Sequence, residues 1–200
     1  MRSSPRCKAS SATTAKHRAS KLPVLITGAS GEVGRALARR LLDDGAQVRA
    51  YVDRDDAELR AWGVHVAVGA YDSVEHIEAA LTQVHTLVHL VGATKPARDL
   101  ERLNVEPAEC VVIAAQASGI RRILYLSAIG ADPGARDPYL RAVGKAERLI
   151  TESGCEYGIF RCALPRGARK ASVPVERVVD ALVIADEREA FASGIWTLDA

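Results

Sequence analysis

Residues 22–34 read Leu-Pro-Val-Leu-Ile-Thr-Gly-Ala-Ser-Gly-Glu-Val-Gly, an apolar run that breaks into three glycines spaced three apart, Gly28, Gly31 and Gly34. Helix-forming sequence follows at once in Arg35-Ala-Leu-Ala-Arg-Arg-Leu-Leu. This pattern restricts a fold tightly. A strand must enter, the chain must turn sharply, and a helix must leave packed against the strand it came from. Gly28 allows the turn, Gly31 lets a phosphate approach the backbone, and Gly34 lets helix and strand touch. The unpaired N–H groups of the first helical turn and the positive end of the helix dipole then suit a dinucleotide's pyrophosphate. The same spacing also fits a tight strand-to-helix turn that binds nothing, so the rest of the chain has to decide.

Beyond the glycines, strand-like and helix-like runs alternate to the end of the chain. Strands are predicted at Val24–Thr27, Gln47–Val52, Val64–Val68, His85–Val91, Arg122–Ser127, Glu156–Arg161 and Gly194–Leu198. Helices are predicted over 32–43, 55–62, 72–81, from Pro96 to before Gly119, 137–153 and 175–186. Asp72-Ser-Val-Glu75 reads as a capping box with Asp72 as the cap, and Pro107 is expected to interrupt the fourth helix. The alternation predicts an α/β fold over residues 22–200. It is a Rossmann-like, doubly wound, mostly parallel sheet in one domain, covered by helices on both faces. Ligands then bind beyond the carboxyl ends of the strands, at the switch point beside the first strand.

Composition removes several function classes. Residues 1–21 hold Arg2, Arg6, Lys8, Lys16, Arg18 and Lys21 and no acid, so the formal charge of +2 leaves −4 on the remainder. A mildly acidic folded part argues against a nucleic-acid-binding face. The basic, Ser/Thr-rich segment 1–21 lacks large apolar residues and is expected to be disordered. It resembles an organellar transit peptide, but a plain tail or a misplaced start codon fits it as well. The compartment expected is the cytoplasm, or an organelle if the segment is a transit peptide. No apolar run approaches the roughly 18 residues that a membrane span requires. Cys7, Cys110, Cys155 and Cys162 show no metal or dithiol spacing. His85 and His89 fall on one predicted strand, too far apart to share a metal, so none is expected.

Further motifs occur in a characteristic order. They are Val88-His-Leu-Val-Gly-Ala93, Asn104-Val-Glu106, Ala117-Ser-Gly-Ile-Arg-Arg-Ile-Leu-Tyr-Leu-Ser-Ala-Ile-Gly-Ala131 and Tyr139-Leu-Arg-Ala142. With the glycine loop, they resemble atypical short-chain dehydrogenase/reductases, in particular the NmrA-like, NAD(P)H-binding branch. The resemblance covers nearly everything from residue 22 onward. It implies that Gly28, Ser30, Gly31, Glu32 and Val33 lie along the pyrophosphate, and that Val91 and Gly92 lie under the adenosine side. It also implies that Ser127 is the catalytic serine near the nicotinamide, polarising a carbonyl.

The departures from that family pattern bear on function. The family's catalytic Tyr is followed four residues later by a Lys, whereas Tyr139 is followed by Val143. Lys145 lies six positions on, about 240° around the helix. Tyr139 is therefore read either as a packing residue or as the proton donor. Ala70 replaces an Asp that would bond the adenine amino group, leaving Tyr71 as a contact for the base. At the end of the second strand, Asp53 suits a ribose diol and the following Arg54 suits a 2′-phosphate, so the cofactor is NAD or NADP, with NAD slightly favoured. Only about forty residues follow Arg161, so the site should be open, walled by 94–98, 129–138 and 163–173. The expected function is an NAD(P)-binding oxidoreductase or epimerase-like enzyme that moves hydride on a small carbonyl or quinone-type substrate. The alternative is a non-catalytic dinucleotide sensor or assembly subunit that presents a surface to a protein partner.

Overall fold

A computed structural model describes residues 22–93, 99–163, 173–187 and 191–198. Seven strands alternate with six helices: β1 (Val24–Thr27), α1 (Glu32–Asp43), β2 (Val48–Val52), α2 (Ala57–Ala61), β3 (His65–Val68), α3 (Val74–Leu81) and β4 (Thr86–His89) form the first half. The second half is α4 (Leu100–Ser118), β5 (Arg122–Ala128), α5 (Pro138–Thr151), β6 (Glu156–Cys162), α6 (Val175–Glu187) and β7 (Gly194–Leu198). All seven strands are parallel in one sheet, in the order β3-β2-β1-β4-β5-β6-β7. The chain winds outward from β1 to β3, returns to place β4 against the other side of β1, and winds outward again. The reversal puts a crevice at the carboxyl ends of β1 and β4, where ligands of such sheets bind.

Burial on both faces explains the continuous apolar runs of the central strands. Val24, Ile26, Val88 and Leu124 face Leu37, Leu41, Val179 and Leu182 of α1 and α6. Leu25, Leu87, Ile123 and Ile159 face Ile77, Val111, Val143 and Ile150 of α3, α4 and α5. Glycines close helices where the chain needs a left-handed turn: Gly119 ends α4 at φ 63°.

Two local expectations are corrected. Ser73, not Asp72, caps α3: its hydroxyl accepts the His76 N–H at 3.3 Å, and Glu75 reaches that hydroxyl instead of the backbone. Ser73 has the extended backbone a cap requires, whereas Asp72 stands one residue too far out to reach the helix N–H groups. Pro107 does not interrupt α4, which runs unbroken through it. The ring removes one bond to the Leu103 carbonyl, while the buried face that carries Pro107, Ala108, Val111 and Ala115 stays packed and holds the helix together. The expected segment 1–21 lies outside the described residues. Among the described residues no helix is long and apolar enough to cross a membrane.

The amino end of the sheet is locked by one buried cation. Arg122 is wholly inaccessible. Its Nε and Nη2 donate to Glu156 Oε2 at 3.1 and 2.7 Å, and its Nη1 donates to the carbonyls of Ala185 and Asp186 at 2.6 and 3.1 Å. The guanidinium also lies 4.3 Å from the Phe191 ring centre. It thus satisfies the last carbonyls of α6, where a positive charge is favoured. Arg122→Ala should lower unfolding stability by about 1–3 kcal/mol, because the two α6 carbonyls lose a buried donor while Glu156 keeps Arg121. Denaturant titration of the variant checks this.

Candidate functional site

The three glycines do different work. A Cβ on Gly28 (φ +71°) would stand 3.1 Å from the Leu90 carbonyl carbon, and one on Gly34 would stand 2.6 Å from Ala29 Cα. The fold itself forbids side chains at these two positions. A Cβ on Gly31 would meet only the Gly28 carbonyl oxygen, at 3.3 Å. Packing makes a weaker demand there, and the missing side chain leaves the space above the loop open. Gly31 is also the N-cap of α1 and supplies no side-chain bond to the helix. α2, α3 and α5 are capped by Asp56, Ser73 and Asp137. The first N–H groups of α1, including those of Glu32 and Val33, are left for an anion, with Gly31 and Glu32 exposed above the carboxyl edge of β1. This uncapped, side-chain-free cradle fits a dinucleotide's pyrophosphate.

A carboxylate that sequence reading missed holds the loop in shape. Ser30 Oγ donates to Asp56 Oδ2 at 2.8 Å, and Arg35 Nη2 reaches the same oxygen at 2.7 Å. Asp56 Oδ1 meanwhile caps α2 by accepting from the Glu58 and Leu59 N–H groups. Arg35 also donates to the Ser30 carbonyl at 3.1 Å and pairs with Glu58. The glycine loop, α1 and the start of α2 therefore meet on one buried side chain. Its only signal in sequence was an Asp just before a short helix.

Asp53 and Arg54, expected at the ribose, lie exposed on the turn after β2, 3.6 Å apart. Both can swing toward a ligand. Tyr71 is half-buried, donates to the Tyr51 carbonyl at 3.3 Å and meets the Tyr51 ring edge-on. That carbonyl also accepts from Gly28 N–H, so Tyr71 stands beside the glycine loop. Burial, then the nearby Asp53 carboxylate, pushes the Tyr71 hydroxyl up to about 12, so it stays protonated.

Val91 and Gly92 follow β4 and line a cleft of about 60 Å³ with Asn104, Ser127, Tyr139 and Val143. Here the sheet brings together two expected residues that lie on separate elements. Ser127 comes from near the end of β5. Tyr139 is the second residue of α5, whose cap Asp137 accepts its N–H at 2.8 Å. Tyr139 is both packed, at 5% exposure, and a wall of the cleft. Lys145 faces elsewhere, with Nζ 2.6 Å from Glu101 on α4. The hydroxyl hydrogen of Ser127 goes to the buried Glu147, which also pairs with Arg161. Sequence reading assigned nothing to Glu147 or Arg161. Beneath the cleft, His89 bonds Thr27 at 2.8 Å and stacks on Tyr125, and burial pushes it down to about 4, so it is neutral at pH 7. The expected walls 94–98 and 164–172 lie outside the described residues.

Two outcomes follow from this geometry. Gly31→Val should abolish dinucleotide binding in calorimetry at a modest cost in melting temperature, whereas Gly34→Ala should destabilise the fold itself far more. Asp56 feels burial, which raises its pKa, but the bonds from Ser30, the α2 N–H groups and Arg35 outweigh it and hold the carboxyl below the usual range. Its contribution is then complete at neutral pH and lost as pH falls through the folded-state value. Asp56→Ala should cost at least about 1 kcal/mol at pH 7. Denaturation at a series of pH values should show the gap to wild type closing below about pH 3.9.

Comparison with known proteins places the fold in a family. A family described as NAD(P)H-binding matches residues 28–177. The photosystem II assembly factor Ycf39 of Cyanophora paradoxa is 29% identical over 144 residues, covering 70% of this chain and 44% of that protein. A (4-alkanoyl-5-oxo-2,5-dihydrofuran-3-yl)methyl phosphate reductase of Streptomyces griseus is 34% identical over 140 residues, covering 69% of this chain and 46% of that one. The chain thus spans less than half the length of these curated relatives. Among solved structures, UDP-glucose 4-epimerase of Thermus thermophilus in complex with NAD superposes with a TM-score of 0.73 at 17% identity, covering 90% of this chain and 78% of that one. That likeness is one of fold. A family match across three quarters of the sequence, on a sheet with this topology and this loop, settles the cofactor class as a nicotinamide dinucleotide, and the chain belongs to the NAD(P)H-binding family of atypical, NmrA-like short-chain dehydrogenase/reductases.

Proposed function

We propose that this chain is an oxidoreductase or epimerase-like enzyme that moves hydride on a small carbonyl or quinone-type substrate. One observation carries the reading: the uncapped N-terminus of α1 and the cleft walled by Ser127 and Tyr139 open on the same edge of the sheet. The α1 N–H groups and Gly31 would hold the pyrophosphate, Asp53 or Arg54 the ribose, Tyr71 the base, and Val91 and Gly92 the adenosine side. The bound nicotinamide would supply or accept the hydride. Tyr139 or an ordered water would move the proton. Val143 stands where the family's Lys would be, so the Lys of the dyad is missing and the chemistry should be slow.

A second reading has support of its own. A dinucleotide sensor or assembly subunit needs the glycine loop and no dyad, and a relative bears the name of an assembly factor. Turnover of NAD(P)H with quinones, flavins and small carbonyls separates the two. The compartment we assign is the cytoplasm, or an organelle if residues 1–21 act as a transit peptide.

Tyr139→Phe should slow single-turnover hydride transfer by less than about tenfold, near 1.4 kcal/mol of barrier. A loss of about a thousandfold with cofactor affinity intact would mean that a working dyad exists. NAD(H) should bind more tightly than NADP(H), because Asp53 repels a 2′-phosphate. Titration giving about tenfold tighter NADP(H) binding would reverse that assignment to Arg54.

A further inference from the structure

A serine hydroxyl has one hydrogen to give and two lone pairs to offer. The hydrogen of Ser127 is given to Glu147 Oε1. Glu147 cannot easily release it. The side chain is 5% exposed on the inner face of α5. Arg161 Nε holds Oε1 at 2.9 Å, and Arg161 Nη2 holds Oε2. Such a forked pair fixes the carboxylate plane as well as its charge. What Ser127 presents to the cleft is its oxygen. A carbonyl oxygen placed beside it would set lone pair against lone pair, and in any competition for the one hydrogen the charged acceptor wins.

Asn104, which also lines the cleft, is partly engaged elsewhere. Asn104 Oδ1 accepts from the Ala93 N–H at 3.2 Å, and its Nδ2 donates to the Leu100 carbonyl at 2.8 Å. Leu90, Leu126 and Val143 supply an apolar wall.

We infer that Ser127 is a hydrogen-bond acceptor in the cleft, with Glu147 and Arg161 as the residues that position it, so that the cleft selects a ligand donating a hydroxyl: the alcohol member of a carbonyl–alcohol pair. This rests on the hydride-transfer reading above and sharpens it, because the role usually expected of such a serine is donation to a carbonyl. Ser127, Glu147 and Arg161 lie on β5, α5 and β6, so the polarity of the cleft is set from behind, by groups that need not touch the ligand.

The test uses a matched pair of small probes, 2-propanol and acetone, titrated into the full chain without cofactor and followed by chemical-shift changes around Ser127. 2-Propanol should bind about three- to tenfold more tightly than acetone, the worth of one hydrogen bond. Ser127→Ala should erase the preference. In Glu147→Gln, Arg161 keeps the amide oxygen and the amide NH₂ turns to Ser127, which frees the serine hydrogen for the cleft. The preference should then vanish or invert toward acetone, a change that loss of a merely structural ion pair would not produce. Equal or tighter binding of acetone by wild type, an unchanged preference in Ser127→Ala or in folded Glu147→Gln, or no shifts near Ser127 with either probe overturns the inference. Calorimetric titration of NADH into the same samples keeps the two proposals apart: failure there removes the cofactor site, whereas normal NADH binding with the wrong probe preference removes only the role given to Ser127.

Discussion

A Cβ at Gly34 would stand 2.6 Å from Ala29 Cα, so α1 can rest on the end of β1 only because that atom is missing. This contact sets the level of everything at the carboxyl edge of the sheet. It brings the first turn of α1 down to the crevice between β1 and β4, with its N–H groups facing outward and no side chain capping them. Gly28, turned to φ +71° beneath Leu90 and Val91, keeps the neighbouring β4 exit close as well. The cradle is a consequence of two forced approaches of backbone to backbone. Gly31 is then clear for a ligand because packing asks so little of it.

Much of this was legible in the sequence because it is local. The loop, the strand preceding it and the helix following it occupy one continuous stretch, and each glycine's task follows from its place there. The strands could be read because burial on both faces makes them apolar throughout. Ser127 and Tyr139 could be picked out one at a time by resemblance, and the winding of the sheet brings them to one cleft. What escaped was long-range pairing between charged residues. Asp56 meets Ser30 and Arg35, and Glu147 meets Ser127 and Arg161, across gaps that no periodicity marks. A lone Asp or Glu in a helix-rich sequence reads as surface until a partner is shown. The misread cap at Asp72 and the unbroken helix at Pro107 fail for a related reason. A cap depends on backbone angles one residue either way, and a packed helix outlasts a single missing bond.

The chemistry of the cleft is a matter of which groups are tied elsewhere. Lys145 is occupied by Glu101, Val143 is apolar, and His89 is buried and neutral between Thr27 and Tyr125. None of them places a cation beside Tyr139. The surrounding frame is rigid by comparison. Arg122 ties the amino ends of β5 and β6 to the last turn of α6, and so braces the half of the sheet that carries Ser127 from the end opposite the cleft.

Asp56 has a further consequence for how cofactor preference can change in such a protein. The turn proposed to read the ribose and the loop proposed to take the pyrophosphate are stapled to the same carboxylate, through α2 on one side and Ser30 with Arg35 on the other. Residues 53–56 are therefore not an interchangeable cassette. A graft that replaced Asp56 would leave Ser30 and Arg35 without their shared acceptor. Recoding that turn means keeping Asp56, or moving Ser30, Arg35 and the start of α2 with it, one unit shared between a loop and two helices.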